Sequence, residues 1–524
     1  MPEEEVSIKE KADKPKDYKV LRDYSVEVDE MEYAIKIVSR HHDIFYHIRF
    51  PEFDLGTLAL MKDIIERLIT NIDIGVVDFM DPKAVKHIKA KFRGTIETLI
   101  DSELPDLDEN LKKEIIADIL HRVIGLGHLD LLLADPNLEE IVVNAAKEPI
   151  WVYHKEIGWL ETNLKIPTEQ QVQEISKSVA RDIGKEVSIL YPLLDAHLLN
   201  NDRVNAILHP IADKGTAITI RKFAREPWTF TDFVKNKTAT TDLLALIWLA
   251  IQYEMNIMIS GGTGSGKTSF MNIITPFIHP KQRIISIEDT RELQLPKFLY
   301  WCPLKTRMSS AEGTGEITML DLLVNSLRMR PDRILFGEIR KQREAEILFE
   351  AMHTGHSIIA TMHADTCDQT IRRLTNAPLA IPLTMVEAID LNIVMFRDRR
   401  LGIRRIFEIG EITMQMNQTV VNILYGWNPR KDEIEVKSRD PILFSDISRH
   451  TGLNRGEIQA DLDEKKSILD WIVTNEVRKI DEVGKVMKTY YLDKDYVTDV
   501  VSSNRGPSEL IGYGEEVKTD SIEK

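Results

Sequence analysis

Asn256-Ile257-Met258-Ile259-Ser260 runs directly into Gly261-Gly262-Thr263-Gly264-Ser265-Gly266-Lys267-Thr268. The second block matches G-x-x-x-x-G-K-[ST] and lies between an apolar strand and a predicted helix, the context that separates a P-loop from a flexible glycine turn. Glycines let such a loop wrap phosphate oxygens and offer them backbone N–H groups, so Gly262, Thr263, Gly264, Ser265 and Gly266 are the expected cradle. Lys267 is expected to reach the β and γ phosphates and Thr268 to ligate Mg²⁺. ATP and Mg²⁺ are therefore the expected cofactors.

Working outward, a helix is predicted from Asp242 to Glu254, and strands and helices then alternate to about Val394, the mark of a parallel α/β sheet. Upstream, Ile141-Val142-Val143 and Ile150-Trp151-Val152-Tyr153 flank a polar turn like a hairpin. A helix at about Glu169 to Ile183 and strands at Val204 to Leu208 and Ala217 to Phe223 complete an α+β module. Before it, Met61, Ile64, Ile65, Leu68 and Ile69, then Leu111, Ile115, Ile116 and Ile119, recur at helical spacing. The expected organisation is a charged flexible arm (1–30), a helical region (31–125), an α+β domain (126–225), a hinge linker (226–232) following Arg225, a mostly parallel α/β ATPase domain (233–410), a C-terminal extension (411–502) and a disordered tail (503–524).

A P-loop alone only binds; hydrolysis also needs an acid that orients metal or water. Arg333-Ile334-Leu335-Phe336-Gly337-Glu338 reads as a short buried strand delivering Glu338 to the carboxyl edge of the sheet, where ligands bind in open α/β folds. A second strand, Arg283 to Ile287, ends in Glu288-Asp289-Thr290-Arg291-Glu292 and brings Glu288 to the same edge, with Asp289 and Glu292 beside it. The bland alternative for these acids is helix capping or ion pairing. Farther on, Thr354-Gly355-His356-Ser357-Ile358-Ile359-Ala360-Thr361-Met362-His363 frames an apolar strand with histidines. The strand breaks any helical spacing among His353, His356 and His363, which argues against a metal cluster.

P-loop, acidic box, Gly337-Glu338-Ile339-Arg340 and the T-G-H-x-x-x-x-T-x-H block follow one another in the order of the type II/type IV secretion ATPase superfamily. The chain resembles that family over about Leu126 to Arg405, with Gly127-His128-Leu129-Asp130-Leu131-Leu132, Asp135-Pro136 and Glu139-Glu140-Ile141 similar to its N-terminal module. The resemblance implies a RecA-like fold for the ATPase domain. It further implies that Glu338 acts on the attacking water, that Glu288 lies near metal and nucleotide, and that His363 contacts the γ-phosphate region. Glu288 and Glu338 would reach Mg²⁺ directly or through water. Arg203, in Arg203-Val204-Asn205-Ala206, and Arg221, in Thr219-Ile220-Arg221-Lys222-Phe223, resemble family arginines set against nucleotide, a role that suits a guanidinium facing a transferring phosphoryl group; the alternative is strand-bracing ion pairs. Also implied are a homohexamer, a polytopic membrane platform protein as partner, and a place at the inner face of the cell membrane.

Only two cysteines, Cys302 and Cys367, are present, so the four-cysteine zinc insertion of bacterial pilus-extension members cannot form, and Thr290 stands where their acidic box usually has proline. The pattern is closer to archaeal and conjugation-type relatives, and the helix Arg343 to His353 favours an archaeal pilus or secretion ATPase over the archaellum motor. A RecA-like nucleic-acid translocase is the alternative of another class. A net charge of −16, from 68 basic and 84 acidic residues, and the lack of a basic, aromatic-rich stretch weigh against a nucleic-acid partner. Met1-Pro2-Glu3-Glu4-Glu5 carries acids where a secretory signal would carry basic residues, so a cytoplasmic location is expected. The longest purely apolar run, Leu243 to Ile251, is about half the roughly 18–20 residues that span a bilayer.

Overall fold

The computed structural model describes residues 18–512 apart from residues 30, 41–42, 52, 72–81, 106, 124–125, 199, 224–225, 308, 310–313, 416–417 and 439. The chain divides into two compact units, Met1–Ala224 and Arg225–Lys524. Arg225 itself lies outside the described residues, as do 1–17 of the expected arm and 513–524 of the expected tail.

The first unit opens with strands β1 (Lys19–Val28), β2 (Met31–Arg40) and β3 (Asp43–Ile48), followed by helices α1 (Leu55–Asn71), α2 (Pro82–Glu103), α3 (Glu109–Val123) and α4 (Leu129–Ala134). Then come β4 (Leu138–Val143), β5 (Pro149–His154), β6 (Gly158–Lys165), helix α5 (Glu169–Asp182), β7 (Leu193–His197), β8 (Arg203–Ile207) and β9 (Ala217–Arg221). One sheet holds all nine strands in the order β1-β2-β3-β6-β5-β4-β9-β8-β7. The expected arm is therefore corrected from Lys19 onward and the helical region at its start: Lys19–Val28, Met31–Arg40 and Asp43–Ile48 form a three-strand meander, and helices begin at Leu55. The physical reason is alternation, since Tyr33, Ile35 and Ile37 face the core two residues apart while charged neighbours face outward. Tyr24 and Tyr46 anchor the meander, their hydroxyls donating to Oδ2 of Asp135 at 2.6 Å each. Helices α1 to α3 bury a separate cluster that includes Ile64, Phe92, Ile96, Ile100, Ile115 and Ile119.

The second unit contains helices α6 (Phe230–Lys235) and α7 (Thr241–Gln252), β10 (Ile257–Gly261), α8 (Lys267–Ile274), β11 (Arg283–Glu288), β12 (Tyr300–Lys305), α9 (Met319–Ser326) and β13 (Arg333–Phe336). These are followed by α10 (Gln342–His353), β14 (Ser357–Met362), α11 (Cys367–Thr375), α12 (Leu383–Val386), β15 (Leu391–Asp398), β16 (Ile403–Gln415), β17 (Gln418–Asn428) and β18 (Glu433–Val436). Helices α13 (Ile442–Thr451), α14 (Arg455–Thr474), α15 (Ile480–Leu492), α16 (Lys494–Ser502) and α17 (Ser508–Gly512) end it. The sheet order is β12-β11-β13-β14-β10-β15-β16-β17-β18. Neighbours from β12 to β15 run parallel, and β16, β17 and β18 add antiparallel ribbons at one side. Strands β10, β13 and β14 are wholly buried, as the continuous apolar runs of a sheet covered on both faces must be. Helix α7 is apolar all round and correspondingly buried, with Thr240 capping its start at the N–H of Leu243.

Three expected boundaries are corrected here. Residues 230–232 are not linker but the start of α6, with Phe230 fully buried against Phe277. Residue 410 falls inside β16, and the helices after it belong to the same core rather than to an appendage. Trp248 stacks on Phe277 at 5.4 Å, donates through Nε1 to the Tyr491 hydroxyl at 2.9 Å, and has the buried Lys465 ammonium 5.3 Å from its ring. Helix α17, with Leu510 buried, lies within the expected disordered tail. No helix of the described residues is long and apolar enough to cross a membrane.

Candidate functional site

Strand β10 ends at Gly261, where the chain turns with φ +150°; a Cβ there would come 2.4 Å from the carbonyl oxygen of Met395, so the strand-to-loop junction admits no side chain. Gly264 follows at φ +73°, and Gly266 at φ +96° opens α8. No side chain caps α8, so its first N–H groups and its positive dipole end face the loop's concavity. Thr268 sits in the first turn of that helix. Ser265 Oγ is buried without a protein partner, a hydroxyl poised for an external acceptor or metal.

Lys267 folds back on its own loop, donating to the carbonyls of Gly261 at 2.9 Å and Gly262 at 3.2 Å and to Nδ1 of His363 at 3.3 Å. Burial pulls its ammonium down, against the opposing pull of Glu338, Asp365 and Glu292. With Nδ1 accepting from Lys267, the His363 ring proton is assigned to Nε2, which meets Oε1 of Glu338 at 2.8 Å. Backbone bonds fix Glu338 where the sequence predicts it, at the carboxyl edge. Gly337 N–H donates to Ile287 at 2.8 Å, Thr361 Oγ1 to the Gly337 carbonyl, and Ile339 N–H to Thr361 at 2.9 Å.

The other carboxylate oxygen of Glu338 accepts from Arg340, Nη2 at 2.6 Å and Nε at 2.9 Å, and Nη1 of the same guanidinium holds Asp289. A polar chain Asp289–Arg340–Glu338–His363–Lys267 thus links the ends of β11, β13 and β14 to the P-loop. Arg340 is a site residue with no role in the sequence analysis above; its place two residues past Glu338, bonded back to that carboxylate, is the local signal. Arg340→Gln is expected to lower kcat by about 10- to 100-fold with little change in KM for ATP, because a catalytic group misplaced by about 1 Å costs up to about 10²-fold. Arg340→Lys should rescue little, since one ammonium cannot reproduce the fork. Steady-state kinetics of the two variants check this.

Glu288 is placed differently from Asp289. Its Oε1 accepts the N–H groups of Glu292 at 2.9 Å and Leu293 at 3.0 Å, while Oε2 is buried without a protein hydrogen bond. Burial pushes its carboxyl up to about 7, with those two N–H groups pulling down, the Glu292 carboxylate raising it and Arg291 lowering it. The folded state therefore holds this proton more tightly than the unfolded chain. Stability contributed by the neutral acid is full below about pH 4.5 and is lost as pH rises through about 7. In Mg²⁺-free, nucleotide-free buffer, Glu288→Gln is expected to raise the melting temperature at pH 8 and to leave it nearly unchanged at pH 4.5, as thermal scans at the two pH values would read.

A cleft of ≈ 320 Å³ opens beside the P-loop, lined by Gly262, Thr263, His363, Asp365 and Arg373 among others. The loop glycines, the uncapped helix, Ser265 Oγ and Glu288 Oε2 fit a Mg²⁺–nucleotide in kind, and the oxygens of Thr268 and the acids are the hard ligands that such a metal would take. Arg203 and Arg221 belong to the first unit, where they are direct cross-strand partners on β8 and β9 and both exposed. Arg203 is gripped by Asp195 at 3.0 and 2.6 Å, and Arg221 pairs in register with Glu140. The structure thus joins the two arginines to each other.

A parallel sheet that carries a P-loop on β10, beside β14 and one strand from the acid-bearing β13, defines a RecA-like P-loop protein. More particularly, residues 126–397 match the pattern of the family described as Type II/IV secretion system protein, and the chain belongs to that family. An uncharacterised protein of Methanocaldococcus jannaschii is 34% identical over 380 residues, covering 70% of this chain and 68% of that one. The type IV secretion system protein PtlH of Bordetella pertussis is 31% identical over 316 residues, 52% of this chain and 90% of PtlH. Among solved structures, the VirB11 ATPase of the Brucella suis type IV secretion system is similar at 24% identity over 54% of this chain and 92% of that one, with a TM-score of 0.28.

Proposed function

We propose that this chain is an ATP-hydrolysing motor of a secretion or pilus-like assembly machine, acting as a homohexamer on a polytopic membrane platform protein at the cytoplasmic face. The observation that carries the hydrolytic reading is the chain from Lys267 through His363 to Glu338, which sets a carboxylate one histidine away from the lysine of the phosphate cradle. Bound Mg²⁺–ATP would supply the phosphoryl group and the metal's charge. Around it, Lys267 would turn from its loop carbonyls to phosphate, Thr268 and Glu288 would hold the metal side, Glu338 would orient the attacking water and accept its proton, and His363 would hold the Glu338 carboxylate in place through Nε2–H. Arg203 and Arg221 are proposed to reach nucleotide from the N-terminal unit. The hexamer and platform rest on family membership alone, so their test is separate: light scattering of the purified chain with Mg²⁺ and a non-hydrolysable ATP analogue. A sixfold multiple of 60.2 kDa is expected. A monomer insensitive to nucleotide contradicts the ring, and DNA-stimulated turnover would support a nucleic-acid translocase instead.

A further inference from the structure

Arg397-Asp398-Arg399-Arg400-Leu401-Gly402-Ile403-Arg404-Arg405 places five arginines in nine residues of a chain whose net charge is −16. The run forms the β15–β16 hairpin, on the flank of β10 opposite to β14 and His363. Gly261 of β10 registers with Met395 of β15, so the residues just beyond Met395 lie alongside the P-loop. Within the hairpin, Arg397 is the direct cross-strand partner of Arg404, and Met395 of Ile406. As direct cross-strand partners, both side chains leave the same face of the ribbon. Their common neighbour is the phosphate cradle. Arg404 donates through Nε to the Gly264 carbonyl at 3.2 Å, and a Cβ on Gly264 would lie 2.7 Å from Nη1 of Arg397. A Cβ on Gly266 would meet Cδ of Arg404 at 3.6 Å. Arg405, on the opposite face of the ribbon, bonds Asp432 at 2.7 and 2.8 Å.

We propose that Arg397 and Arg404 form an intrachain cationic wall of the nucleotide site that takes the α and β phosphates, so that the hairpin sets how tightly a nucleoside diphosphate is retained. The proposal rests on reading the P-loop as a nucleotide site. Lys267 serves the β and γ phosphates on the side of His363 and Glu338, whereas the backbone of Gly264 to Gly266 serves α and β. Both arginines lie against that backbone at Gly264, and the fork geometry of a guanidinium suits phosphate oxygens.

The test is calorimetric titration of ADP with Mg²⁺ into the full-length chain, alongside steady-state kinetics. Arg397→Gln/Arg404→Gln is expected to weaken ADP by about 10- to 100-fold and to raise KM for ATP more than it lowers kcat. Arg397→Lys/Arg404→Lys should recover part of the affinity. Arg399→Gln/Arg400→Gln, which removes the same charge from the exposed tip, should change nothing. Unchanged ADP affinity in the double glutamine variant overturns the proposal, as does an equal loss in the tip variant, which assigns the effect to bulk charge. If the double variant fails to fold, Arg397→Lys alone decides: a weakening of about 3- to 10-fold is expected, and no change overturns. A wild-type chain that binds no ADP overturns the nucleotide reading itself, a result distinct from the others.

Discussion

Glu338→Gln is expected to cut ATP turnover by about 10²- to 10⁴-fold, the usual contribution of a positioned acid or base, or roughly 3–5 kcal/mol of barrier. Binding of ATP should persist. The glutamine carbonyl can still accept from Arg340, and the backbone bonds of Gly337 and Ile339 to β11 and β14 do not depend on the side chain. What the amide cannot do is take a proton from water. The variant should therefore form a long-lived ATP complex, read as radiolabelled ATP retained unhydrolysed on the protein. Turnover at the wild-type rate would move the catalytic assignment to Glu288.

Lys267→Ala is expected to fail one step earlier, at binding. The ammonium is half-buried and surrounded by acceptors, so its removal takes a donor from the Gly261 carbonyl and from Nδ1 of His363, while the Gly262 carbonyl keeps only the Ser265 N–H at 3.3 Å. It also removes charge-assisted bonds to phosphate worth about 1.5–3 kcal/mol each, enough to weaken Mg²⁺–ATP by about 10²-fold. Calorimetry would separate this pattern from that of Glu338→Gln, in which affinity is kept and hydrolysis lost. Retained affinity in Lys267→Ala would mean that the P-loop backbone and the β15–β16 hairpin carry the phosphates without it.

The P-loop, β10 and α8 were legible in sequence because glycine positions there are dictated by backbone geometry: only glycine tolerates Gly261, 2.4 Å from the Met395 carbonyl. Glu338 was legible because a short strand with the apolar run Ile334-Leu335-Phe336, buried throughout, can deliver the next residues only to the carboxyl edge of the sheet. Arg340 was not, since its second partner, Asp289, lies 51 residues away in sequence. Arg404 lies 140 residues from Gly264, and no local pattern announces that contact. Along the N-terminal edge, the high charge of the first thirty residues hides a period of two confined to Tyr24, Val26 and Val28. Only pairing with Met31–Arg40 turns that period into a strand. The C-terminal helices carry readable caps, Asn454 with Glu457 among them, yet their membership of the ATPase core depends on Trp248 and Phe277, more than 160 residues earlier. Local chemistry was readable in all of these; long-range partnership was not.

Hydrolysis of ATP at this P-loop edge is measured as steady-state phosphate release from Mg²⁺–ATP by the purified chain, with Lys267→Ala as the background. Saturable turnover that vanishes in Lys267→Ala is the predicted result; release no faster than that background, in a wild-type chain that is folded and binds ATP, would contradict it.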